Sequence, residues 1–99
     1  MRIRLHEQAR LDIQRGISFY ESQSSGLGAY FKSEIIAAID ALRYFPAMHP
    51  MVRGYRRMFV GKFPYCIYYK ITSDAVIVFS VLDARMNPGT ANARLDSLA

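Results

Sequence analysis

Residues 53–71, RGYRRMFVGKFPYCIYYKI, hold the residue types best suited to binding or cleaving an anionic partner. Tyrosine and phenylalanine are interleaved there with basic residues, among them Arg53, Arg56, Arg57 and Lys62. No acidic residue occurs between Asp40 and Asp74. Cations without a nearby carboxylate attract phosphates or the carboxylates of another molecule. The segment therefore predicts a docking face for nucleic acid or for an acidic protein.

Acid–base groups that could turn binding into catalysis are few. His49 has an ordinary pKa of about 6.5, but it lies between two prolines with no carboxylate nearby in the sequence. A solvent-facing loop position explains it better than catalysis does. Cys66 has no histidine paired with it by motif, so a buried small side chain is the better interpretation. Asp83 could act as a base, although pairing with a neighbouring arginine or capping of a turn explains it better.

Composition narrows the class of protein. The chain has 99 residues, 52% of them hydrophobic, with one cysteine, two histidines and a formal net charge of +5. An internal disulfide is excluded, and no metal-ligand cluster or cofactor site is indicated. The longest apolar run is too short for a membrane helix, and the charged N-terminus does not resemble a signal peptide. We expect a single domain over residues 1–99, located in the cytoplasm.

Two helices and three longer strands are expected to position these residues. An i, i+4, i+7 apolar spacing predicts helices over residues 6–23 and 27–45, the second ended by Pro46. The serine- and glycine-rich turn between them indicates an antiparallel hairpin. Residues 1–5 alternate like a strand, and β-rich runs at 51–60, 62–71 and 75–84 are separated by short turns. The predicted fold is α+β, with the order β-α-α-β-β-β and an antiparallel sheet packed against the two-helix hairpin. Residues 86–99 are expected to form a polar tail.

This order, together with ARLDI, LGAYFKSEI, YFPAMHP, RRMFVGKFPYCIYY and VLDARMNP, resembles the RelE/ParE superfamily of toxins from type II toxin–antitoxin (plasmid stabilisation) systems. The resemblance implies a small growth-inhibitory toxin that a cognate antitoxin neutralises. RelE-like members cleave messenger RNA on the ribosome without a metal, whereas ParE-like members bind and poison DNA gyrase.

Only part of the RelE-like catalytic pattern is present. Arg57 falls where the resemblance places one strand lysine, and Arg85 where it places a distal arginine; these two are the catalytic candidates if the protein is a ribonuclease. A second lysine is replaced by Phe59 and an arginine by Cys66, and no tyrosine follows Arg85. Because arginine stays protonated, neither candidate can readily serve as a base.

These departures favour a ParE-like toxin that acts by binding DNA gyrase. The alternatives are a RelE-like ribosome-dependent messenger RNA endoribonuclease and a degenerate, non-toxic family member. A homodimer or a toxin–antitoxin hetero-oligomer is possible, and no membrane partner is expected. The predicted binding residues are Arg53, Arg56, Arg57, Lys62, Tyr65 and Arg85.

Overall fold

A computed structural model of the protein describes residues 1–98, in which one sheet separates a helical hairpin from a third helix. The strands are β1 (Arg2–Leu5), β2 (Met51–Val52), β3 (Tyr55–Phe59), β4 (Tyr65–Ile71) and β5 (Ala75–Asp83). The helices are α1 (Glu7–Gln23), α2 (Leu27–Ala41) and α3 (Pro88–Ser97). The α+β fold with its hairpin is confirmed.

The helical hairpin forms where the apolar spacing predicts it. His6 caps α1 by accepting the backbone N–H of Gln8, and Gly26, with φ of 87°, precedes α2. The predicted end of α2 at residue 45 is wrong, because the helix ends at Ala41 and continues only as i→i+3 turns through residue 44. Pro46 sterically excludes the residue before it, Phe45, from the helical region. This effect does not explain why the α-helix ends already at Ala41.

The sheet has the strand order β1-β5-β4-β3-β2. The last four strands are antiparallel, as expected, whereas β1 pairs with β5 in parallel, which makes the sheet mixed. The antiparallel prediction is based on the tight turns between the later strands. No such turn links β1 to β5, so the prediction does not apply to this pair. The run at 51–60 divides into β2 and β3, because Arg53 and Gly54 form a two-residue turn with φ of 51° and 86°. Positive φ at both central residues suits the twist of a β-hairpin.

Side chains pack on both faces of the sheet. The hairpin side carries the larger core, with buried residues Ala9, Ile13, Phe31, Ile35, Ile39, Leu42, Met58, Phe63, Ile67, Tyr69, Val76, Val78 and Val81. The opposite side, called here the α3 face, carries a smaller core of Tyr55, Cys66, Tyr68, Leu82 and Leu95. In β4, alternate side chains therefore serve different cores, as the sequence predicts.

The expected polar tail is wrong, because residues 88–97 form helix α3. Asn87 caps this helix by accepting the backbone N–H of Gly89, and Pro88 occupies its first turn, where a missing N–H costs nothing. Leu95 is only 1% exposed, and its carbonyl accepts the Tyr55 hydroxyl. Arg94 adds an ion pair to the buried Asp12, with Nη1 and Oδ2 2.8 Å apart.

Candidate binding surfaces

Arg57 lies on the α3 face of the sheet beside the two positions that depart from the ribonuclease pattern. Arg57 and Phe59 are two residues apart on β3 and so point to the same side. Their cross-strand partners on β4 are Tyr68 and Cys66 respectively. Phe59 and Cys66 are therefore direct neighbours, and one cation stands among three uncharged side chains. Such a group can attract an anion but offers no proton acceptor for cleaving RNA.

Cys66 is buried under α3, which confirms the interpretation as a small core residue. Burial raises the pKa of its thiol, although the nearby Arg57 opposes this change. A thiol with a raised pKa carries little thiolate at neutral pH, so nucleophilic chemistry is disfavoured.

Arg85 is bound to Asp83 in a two-pronged ion pair. Its Nε lies 3.0 Å from Oδ1 of Asp83 and its Nη2 lies 2.8 Å from Oδ2. This hydrogen bonding lowers the pKa of Asp83 below its usual range. The carboxylate also accepts the backbone N–H of Arg85. Asp83 thus pairs with a neighbouring arginine and caps the turn, as the sequence suggests.

Two further predicted binding cations also have acidic partners within the chain. Arg53, in the turn between β2 and β3, pairs with Asp96 of α3. Lys62 lies 3.9 Å from Glu34 of α2. Both partners are distant in the sequence, so the long acid-free segment did not reveal them. The expectation that another molecule must balance the cations of residues 53–71 is therefore wrong for Arg53 and Lys62.

The remaining predicted residues, Arg56 and Tyr65, lie on the hairpin side of the sheet. Arg56 pairs with Tyr69 across the strands, and its Nη1 donates to the carbonyls of His49 at 2.9 Å and Ala47 at 3.3 Å. The ring of Tyr65 packs 4.9 Å from that of Phe31. The six predicted residues therefore do not share one docking face. The sheet separates Tyr65 and Arg56 from Arg57.

Alkaline pH is expected to destabilise the fold through Tyr65. Burial, with a smaller contribution from Tyr20, raises its pKa to about 12. Because folding favours the neutral phenol, this contribution is complete below the unfolded pKa of about 10 and is lost as pH rises through about 12. Denaturant midpoints between pH 9 and pH 12 should fall less for Tyr65→Phe than for the wild type. Equal falls in the two proteins would contradict this assignment.

His49 lies in the connection between α2 and β2 and is half buried, with its ring edge-on to Tyr69 at 6.1 Å. No ion pair among residues 1–98 includes it. In the part of the chain that the structure describes, no three His, Cys, Asp or Glu side chains converge to hold a metal ion. His49 therefore lacks the orienting carboxylate that a general base needs.

A groove between α2 and the edge strand β1 is a second candidate surface, called here the α2–β1 groove. Where the helix meets the strand, a cavity of about 240 Å³ is lined by Ile3, Leu5, Ile36, Ile39, Asp40 and Arg43. Ile36 and Asp40 also line a shallow depression of about 530 Å³ along α2, with Ala29, Lys32, Ser33 and Ala37. The two depressions are therefore adjacent and share these two residues.

Two features make this groove suitable for a peptide segment. Within residues 1–98, strand β1 pairs only on its β5 side, so its outer backbone N–H and C=O groups have no strand partner there. Leu5 and Ile36 are 42% and 45% exposed beside that edge. Extended segments bind such edges by main-chain hydrogen bonds, with apolar anchors in adjacent pockets. The sequence carried a signal for this groove, since Ile36 and Ala37 are apolar but lie off the core stripe of α2.

Each helix within residues 1–98 is too short or too polar to span a lipid bilayer.

Comparison with known proteins relates most of the chain to one family. A family model described as "ParE toxin of type II toxin-antitoxin system, parDE" matches residues 3–88. Among solved structures, the chain is similar to one described as "Chromosomal ParDE TA system from P. aeruginosa", with a TM-score of 0.76 and 14% sequence identity. That match covers 86% of this chain and 97% of the other. At this identity the likeness shows the fold alone. No curated protein matches the chain.

Proposed function

Because the chain belongs to the ParE toxin family of type II toxin–antitoxin systems, we propose that it arrests growth by binding DNA gyrase rather than by cutting RNA. The observation that carries this proposal is the direct pairing of Phe59 with Cys66 on the face where a ribonuclease would hold cations. Gyrase acts on the chromosome, so the proposed location of the toxin is the cytoplasm.

Arg57 is the predicted binding residue best placed to contact the target. Its side chain is exposed on the α3 face, and no ion pair among the described residues includes it. The other charged candidates are engaged, Arg53, Lys62 and Arg85 by carboxylates and Arg56 by backbone carbonyls. Arg57 can therefore pair with a carboxylate of the target without first breaking an ion pair.

The proposal is tested by incubating the purified protein with gyrase and relaxed plasmid, and in parallel with ribosomes programmed with messenger RNA. We expect supercoiling to be inhibited and the messenger RNA to stay intact. The alternative, a ribosome-dependent ribonuclease, draws its support from the exposed Arg57. If the protein is such a ribonuclease, it cleaves messenger RNA in the ribosomal A site, and the double variant Arg57→Ala, Arg85→Ala abolishes this cleavage. Unchanged supercoiling together with such cleavage would overturn the gyrase proposal. A protein inactive in both assays would indicate a degenerate, non-toxic member.

The family assignment implies a cognate antitoxin, and we infer that it docks in the α2–β1 groove. A segment that adds to the free edge of β1 would place apolar side chains against Leu5 and Ile36. Lys32 borders the groove and would favour an acidic residue on that segment, whereas Arg43 is already paired with Asp40 of the groove. This placement puts the antitoxin segment on the α2 side of the helical hairpin and on the β1 edge of the sheet.

A further inference from the structure

Residues 44–51, which run from the turns after α2 to the first residue of β2, form an unusually apolar surface segment, called here the aromatic connector. It carries four of the five most exposed large hydrophobic side chains within residues 1–98, with exposed fractions of 57% to 74%: Tyr44, Phe45, Met48 and Met51. Phe59 is the fifth. Several large apolar side chains exposed within one short segment are typical of interaction sites in soluble proteins, and aromatic and methionine side chains are enriched at interfaces.

The backbone of the aromatic connector is held in place by side chains of the sheet. The Tyr69 hydroxyl donates to the carbonyl of Pro46 at 2.5 Å, and the Arg56 guanidinium donates to the carbonyl of His49 at 2.9 Å. The backbone N–H of Arg57 donates to the carbonyl of Pro50, also at 2.9 Å. The exposed side chains therefore project from a fixed base. A surface already ordered before binding loses less conformational entropy when its partner docks.

Shape distinguishes the aromatic connector from the α2–β1 groove. Tyr44 and Met48 are 71% and 74% exposed, whereas the groove residues Leu5 and Ile36 are 42% and 45% exposed. The connector side chains thus protrude, and protruding apolar side chains fit a concave pocket on a folded protein. The groove is concave and fits an extended segment instead.

Charge limits the chemistry of the partner. The connector, residues 44–51, contains no acidic side chain of its own. The guanidinium of Arg56 lies under the connector and takes part in no ion pair among the described residues. A pocket bordered by carboxylates complements this surface, and a basic pocket is disfavoured.

We propose that the aromatic connector docks into an apolar, acid-rimmed pocket on the folded target of the toxin, the antitoxin being held elsewhere, in the α2–β1 groove. This inference rests on the proposed function, with gyrase as the target. Tyr44 and Met48 are the anchors, because they protrude furthest and contribute least to the core.

The test compares the double variant Tyr44→Ser, Met48→Ser with the matched control Phe19→Ser, a 51% exposed aromatic on α1. Gyrase supercoiling, growth arrest and antitoxin affinity are measured for both, after circular dichroism has shown that each is folded. For the double variant we expect the concentration that half-inhibits supercoiling to rise about tenfold or more, as truncation of interface anchors does. Its antitoxin affinity and all properties of the control should stay within about twofold of the wild type.

Unchanged gyrase inhibition by the folded double variant would overturn the inference. Loss of antitoxin affinity, alone or together with gyrase inhibition, would also overturn it, because the connector would then belong to the antitoxin interface. If the wild type does not inhibit gyrase, the proposed function fails separately. The connector is then tested by growth arrest alone, and arrest retained by the double variant would overturn a docking role for any target.

Discussion

Replacement of Phe31 by alanine is expected to lower the free energy of unfolding by about 3–5 kcal/mol. The ring is fully buried, and it lies 5.0 Å from the ring of Tyr20, 4.9 Å from Tyr65 and 5.2 Å from Phe63. Its edge also fills the space beside Gly16, where an added Cβ would come within 2.5 Å. Because these neighbouring rings and the helix backbone can move little, they would not fill the space left by the Phe31 ring, and a cavity would remain. Equilibrium denaturation in urea at neutral pH measures the change.

Tyr30→Ala is the matched control for this stability prediction. Tyr30 precedes Phe31 on α2 but is 44% exposed, so its removal should cost about 1 kcal/mol or less. The stability of a small domain totals only about 5–15 kcal/mol, so Phe31→Ala should leave a marginal protein. A loss below about 1 kcal/mol for Phe31→Ala would mean that the helical hairpin does not pack on the sheet through this aromatic cluster.

Replacement of Ile36 by aspartate is expected to weaken antitoxin binding about 100-fold or more, the largest effect on any interaction of the protein. Ile36 lines both parts of the α2–β1 groove, and burying a carboxylate against an apolar anchor is strongly unfavourable. Isothermal titration calorimetry with the antitoxin of the same module measures the affinity. Growth arrest should persist, because the groove is separate from the aromatic connector, and co-expressed antitoxin should no longer relieve it.

Phe19→Asp is the matched control for the groove. Phe19 is exposed to a similar extent on α1, outside the groove, so the same charge there should change antitoxin affinity about threefold at most. An affinity for Ile36→Asp that matches the control would place the antitoxin on another surface.

The fold could be predicted because its signals are local. The spacing of Ile13, Ile17, Phe31 and Ile35 fixed the two faces of the helical hairpin, and alternation in β4 separated Ile67 from Cys66. Helix α3 was missed because its one buried anchor, Leu95, gives no periodic apolar stripe. The Asn87–Pro88 pair was the available signal, since asparagine caps helices and proline suits their first turn.

The charged site could not be predicted in the same way, because ion pairing depends on contacts between distant residues. Arg53 lies 43 residues from Asp96, and Lys62 contacts Glu34 on a different element. A segment without acids in the sequence therefore says little about neutralisation in space. The departures at Phe59 and Cys66 were visible, but only the β3–β4 register shows that they are neighbours.

The most direct test of the central claim follows both possible activities in one culture after the toxin is induced without its antitoxin. Topoisomers of a reporter plasmid report gyrase activity, and mapping of RNA 5′ ends reports cleavage on the ribosome. We predict that the plasmid loses negative supercoiling at the onset of growth arrest while messenger RNA remains uncut. Cuts in the ribosomal A site with supercoiling unchanged would contradict the account.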